Sequence, residues 1–98
     1  MDDQRMDAAI KYLDEFFAGK GMEDYEGDNG KIGVLMDEAP GWVNCSEGIA
    51  YLTRAIRLAR KPVPYFCRGA SAHLRETEQR ERMLIAAMTA KHMLGGRP

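Results

Sequence analysis

The stretch DNGKIGVLMDEAP, residues 28–40, decides what kind of fold this chain adopts. Ile32, Leu35, Met36 and Ala39 recur at helical spacing, Asp28 or Asn29 stands where an N-cap belongs, and Pro40 bars continuation. The same letters also carry a strand reading: Ile32, Val34 and Met36 alternate, and Asn29-Gly30 is a favoured hairpin pair. That strand would have to pair with Met22 to Glu26, a segment with three acids in five residues. So charged a neighbour is a poor strand, and the helix is the better reading. The expected fold is mainly α, a small bundle of three to four helices, with a β-hairpin around residues 22–36 as the alternative.

Upstream, Met6, Ala9, Ile10, Leu13, Phe16 and Phe17 make one apolar helical stripe. Asp2 or Asp3 suits its positive N-terminal end, and Gly19 and Gly21 supply conformations that stop it. Residues 19–30 then read as an acidic, glycine-rich loop. Downstream, Ala39-Pro40-Gly41 forms a turn, and Trp42, the single tryptophan, is a core anchor. A third helix follows, with Asn44 or Ser46 as cap and Asn44 with Glu47 approximating a capping box. Its apolar face is Ile49, Leu52, Ile56 and Ala59, and Pro62 and Pro64 end it. From Ser71 the pattern is helical to Leu94, with Gly95-Gly96 as terminator. Its middle, Arg75 to Arg82, is wholly polar, which predicts a half-helix projecting into solvent or two helices meeting near Thr77.

A chain of 98 residues makes one domain, residues 1–98, with room for a single core. At 45% hydrophobic and 30% charged residues it has an ordinary globular composition, and two cysteines frame no disulfide scaffold. Charge-free runs such as Met83 to Ala90 fall far short of the roughly 20 residues that span a bilayer. The start Met1-Asp2-Asp3 is acidic where a signal peptide would be basic. The expectation is a cytoplasmic protein with no membrane contact.

The formal net charge of −1 conceals an asymmetry. Residues 1–50 carry twelve acids against four bases, a balance of −8, and residues 51–98 carry ten bases against three acids, a balance of +7. Such halves either neutralise each other on packing or leave a basic surface for a partner.

No residue pattern specifies a chemistry. The loop from Asp24 to Ile32 has the acid and glycine density of a calcium site, but counted from Asp24 the sixth residue is Asn29 and the twelfth is Leu35, where glycine and a bidentate acid are needed. Cys45, Cys67, His73 and His92 are spaced 22, 6 and 19 residues apart, which matches no tight zinc pairing. Cys67 with His73 as base and Arg68 alongside resembles a thiol nucleophile, yet lacks a third member and an oxyanion loop. No catalytic residue, metal or cofactor is expected.

Two surfaces carry the functional expectation. Arg54, Arg57 and Lys61 occupy a narrow arc of the third helix opposite Leu52, Ile56 and Ala59, Arg60 flanks them, and Arg68 and Arg75 extend the patch. Such a row contacts phosphates or an acidic protein surface. Met83, Ile85, Met88, Met93 and Leu94 (with Leu84) point in too many directions for one buried stripe, so part of the last helix is expected to dock on another chain, a second copy or a different partner. Together these predict a small non-catalytic protein that binds and modulates a larger protein or complex, as adaptors, small regulators and virus-encoded inhibitors do. Nucleic-acid binding through Arg54, Arg57 and Lys61 is the competing expectation.

Overall fold

Residues 28–40 resolve as helix. In the structure, a computed structural model describing residues 2–65 and 69–96, four helices follow in order: α1 (Asp2–Phe17), α2 (Asn29–Asp37), α3 (Cys45–Ala59) and α4 (Ala70–Met93). Short 3₁₀ turns cover Met22–Asp24 and Ala39–Gly41, and no strand occurs among the described residues. The hairpin alternative is thereby corrected. A strand would have put Val34 on the same face as Ile32 and Met36; those two are sealed, whereas Val34 is 47% exposed. The 3.6-residue period prevails because the core offers α2 a stripe to cover, and the acidic segment before it offers no ladder.

The helix ends follow the local chemistry. α1 stops before Gly19, which takes a φ of 78°. At the start of α3, Asn44 Oδ1 accepts from Glu47 N at 2.9 Å and Glu47 Oε2 accepts from Val43 N at 2.6 Å, a reciprocal cap displaced by one residue from the usual box. Past α4, Gly95 N donates to His92 O and Gly96 N to Lys91 O, both at 2.9 Å. That pair of bonds closes the helix and needs the positive φ that Gly95 supplies, 88°. At α2 the expected cap is corrected: Asp28 makes no side-chain capping bond, and the Asn29 side chain turns inward instead.

The core draws on every helix: Ala9, Leu13 and Phe17 from α1, Ile32 and Met36 from α2, Leu52, Ala55 and Ile56 from α3, and Met83, Ala86, Ala87 and Ala90 from α4. Trp42 is buried as expected, beside the Tyr51 ring at 6.5 Å. Gly48 permits this packing, since a Cβ there would stand 2.6 Å from Trp42 Cε3 and 2.8 Å from Leu94 Cδ1. No helix among the described residues is long and apolar enough to cross a membrane.

The expected break or projection of α4 is corrected as well. The helix runs unbroken from Ala70 to Met93, and its buried stripe continues through the polar run as Glu76, Arg80, Met83, Ala87 and Ala90, reaching Leu94 just past its end. The spacing alternates between four and three residues, a heptad seam with two charged residues in its first slots.

Candidate functional site

The charged members of that seam close a buried network. Asn29 Nδ2 donates to Glu76 O at 2.8 Å and to Gln79 Oε1 at 3.2 Å, while Arg80 Nε donates to Asn29 Oδ1 at 2.8 Å. Arg80 Nη1 donates to Lys61 O at 3.0 Å, and Nη2 lies 3.8 Å from Glu76 Oε2. Gln79 extends the network outward, accepting from Glu26 N at 3.1 Å and donating to Asp24 O at 3.0 Å. The first half of α4 is thus tied to the acidic loop, to the start of α2 and to the exit of α3. Buried charges are tolerated when paired and hydrogen-bonded in this way. Beside the network, burial raises the Tyr25 hydroxyl above its ordinary value of 10.0; Arg82 acts against this, and Asp24 and Asp37 add to it.

With its first half so anchored, α4 lies alongside α3 and leaves an open groove of about 410 Å³ between them. Thr53, Ile56 and Arg57 line it from α3, with Arg60 just past the end of that helix, and Met88, Thr89, Lys91 and His92 from α4. Their spacings of three and four, or one, residues place each set on one helix flank. Gly96, held by the closing turn of α4, completes the lining. Met88, 37% exposed, and the almost fully buried Ile56 bring apolar atoms to a lining in which both helices contribute cationic side chains, and among the described residues no carboxylate lines the groove. Among the described residues, no ion pair engages Arg57, Arg60 or Lys91.

The structure divides the basic patch that the sequence suggested. Arg57 and Arg60 line the groove. Arg54 lies over the Tyr51 ring at 5.4 Å, a cation–π contact. Lys61 borders a separate hollow with Asp28, Lys31 and Arg80. Arg75 pairs with Glu26, Nε to Oε1 at 3.0 Å, so its charge is spent on the acidic loop. Arg68 lies outside the described residues.

The expected apolar interface divides too. Met83 and Leu94 are core residues at 0% and 2% exposure, and Met93 packs partly buried against them. Ile85 and Met88 remain exposed, at 63% and 37%. Sequence periodicity missed the split because residues 83–94 supply the core seam and part of an outer face within the same few turns. Lys91 and His92 belong to the groove and were not singled out for it; the signal was present, since Met88, Lys91 and His92 share a helical face at the usual spacing.

Of the soft ligands, Cys67 lies outside the described residues, His73 Nε2 sits 3.1 Å from Val63 O beside the Tyr65 ring, and His92 is in the groove. Among the described residues no three of His, Cys, Asp and Glu gather as a metal site. In the acidic loop, Asp24 Oδ2 accepts from Gly21 N at 3.0 Å and Asn29 belongs to the buried network. Comparison with protein families, curated proteins and solved structures yields no match to this chain.

Proposed function

We propose that this chain is a small non-catalytic interaction protein, an adaptor or inhibitor of cellular or viral origin, that binds and modulates a larger protein or complex in the cytoplasm. The groove between α3 and α4 is its binding surface. One observation carries the reading: Arg57, Arg60 and Lys91 share a groove lining with apolar Met88, and among the described residues no carboxylate joins them. Cations that no described residue pairs with steer an acidic surface into contact, and burial of Met88 and Ile85 supplies the non-directional part of the binding free energy. Phosphates would satisfy the cations but leave this apolar surface without a counterpart, so a protein partner fits better than nucleic acid.

Site-specific photo-crosslinking in the native cell tests this. A photoreactive side chain replacing Met88 is expected to capture a distinct protein, and one replacing Val34 on α2 is expected not to. Nucleic acid as the only species captured from position 88, or an adduct only of the mass of two copies, overturns the reading.

A further inference from the structure

We infer that the occupant of the α3–α4 groove is an acidic amphipathic helix of the partner protein, with carboxylates on both sides of its apolar stripe. This rests on the reading of the groove as the binding surface and adds the chemistry of what binds there.

The first argument is the two-sided placement of charge. Arg57 and Arg60 come from one wall and Lys91 and His92 from the other, and Met88, 37% exposed, and the almost fully buried Ile56 add apolar atoms to the same lining. A ligand that satisfies all of these presents apolar atoms along its middle and negative charge along both edges. A helix with apolar residues at i, i+3 or i+4, and i+7, and acids at the flanking positions, has that arrangement built in.

The second argument is length. Ile85, 63% exposed, stands one turn before Met88 and Thr89 on α4, and prolongs the apolar strip beyond the groove proper. From Ile85 to His92 the outer surface of α4, apolar at Ile85 and Met88 and polar beyond, runs about 10 Å along the helix axis, roughly two turns. A ligand helix of two to three turns therefore covers it, in the manner of a third helix laid against a pair.

The third argument removes other occupants. Among the described residues no Phe, Tyr or Trp lines the groove and His92 brings one imidazole ring, so nucleic-acid bases find a poor stacking platform there. On a second copy of the chain, α4 presents exposed Leu74, Ile85 and Met88, but its exposed Arg75 and Arg82 offset Glu78 and Glu81, so it is not an acidic helix. The apolar stripe of acidic α1 is spent on the core through Ala9, Leu13 and Phe17, and on α2 the exposed apolar residue Val34 stands alone beside Asp37 and Glu38.

The test is a titration of the isotopically labelled full chain, followed by amide chemical shifts, with three synthetic helical peptides of about 18 residues. One carries heptad-spaced Leu flanked on both sides by Glu; in the second Gln replaces Glu; in the third Ala replaces Leu. The first is expected to bind with a Kd of roughly 10–100 μM and to shift the amides of Thr53, Arg57, Thr89 and His92, and the other two to bind about tenfold more weakly or worse. Combining Arg57→Glu with Lys91→Glu is expected to weaken the first peptide about tenfold and to leave the weak binding of the Gln peptide unchanged. Equal binding of the Glu and Gln peptides or of the Leu and Ala peptides, shifts confined to another face, or absence of binding each overturns the proposal. So does a DNA duplex or a phosphatidylserine vesicle that shifts the groove amides at lower concentration than the Glu–Leu peptide. Loss of peptide binding alongside a protein captured from position 88 removes only the helix chemistry. A protein that is never captured removes the interaction reading itself.

Discussion

Arg80 and Asn29 meet across the α4–α2 contact, Nε to Oδ1 at 2.8 Å, with the two residues 4% and 0% exposed. The pair joins residues 51 positions apart in sequence and turns a polar stretch of α4 into part of the interior. Further along, the same helix forms the groove with α3.

Breaking that pair from one side leaves Asn29 Oδ1, a buried acceptor, without the Arg80 donor. Arg80→Met is expected to destabilise the chain by about 3–5 kcal/mol, because Asn29 Oδ1 and the Glu76 carboxylate lose their cation. Replacing the three together, Asn29→Leu, Glu76→Met and Arg80→Met, is expected to recover most of that loss. Denaturant unfolding of the single and triple variants checks it; a triple variant less stable than the single one would show that the network stabilises the fold outright.

Gly48 is the close-approach point of α3. Gly48→Ala is expected to cost about 1–3 kcal/mol through overpacking against Trp42 and Leu94, whose atoms would stand 2.6 and 2.8 Å from the new methyl. Because one tryptophan is present, its fluorescence reports the displacement directly, and an unchanged emission maximum with unchanged stability contradicts the contact.

Two apolar residues of α4, two positions apart, should behave oppositely. Met83 is 0% exposed and Met83→Ala is expected to cost about 2–5 kcal/mol. Ile85 is 63% exposed, and Ile85→Ala is expected to change stability by no more than about 0.5 kcal/mol. Thermal unfolding of the two variants separates core from groove rim; comparable losses would place Ile85 in the interior.

Tyr25 makes stability depend on alkaline pH. Its folded pKa lies above its ordinary 10.0, chiefly through burial, so the folded state keeps the phenolic proton where the unfolded chain has lost it. This contribution is therefore complete below pH 10.0 and disappears as pH rises through the folded value. Urea midpoints measured from about pH 9 to about pH 11 are expected to fall for the wild type and to fall less for Tyr25→Phe. Parallel curves for the two proteins would remove Tyr25 as the group responsible.

Much of the architecture was legible in one dimension. The stripe of α1, the Asn44 cap, the proline and glycine stops and the anchoring role of Trp42 are local properties, set by side-chain period and backbone sterics within a few residues. Periodicity failed at Arg75–Arg82, where burial was judged from polarity. The heptad phase of Met83, Ala87, Ala90 and Leu94 extends backward onto Arg80 and Glu76, and the opposite charges four residues apart on one face were the available sign that the seam continues. The patch of Arg54, Arg57, Arg60 and Lys61 was legible as a basic helix and not as a site, because a helical wheel gives direction and not neighbours.

Sequence alone determined that this protein is mainly helical and where most of its helices start and stop, since those depend on short-range spacing and capping; the structure removed the hairpin alternative and the break near Thr77. Only the tertiary structure decided which charges are interior and which are available. Arg80 and Arg57 are the same side chain on similar helices, and what separates them is Asn29 arriving from the facing α2, with Glu76 one turn back on α4, to compensate one and not the other. It was likewise the packing of α4 on α3 that set Met88 beside Arg57 and Arg60, because surface between two helices exists only once both are in place.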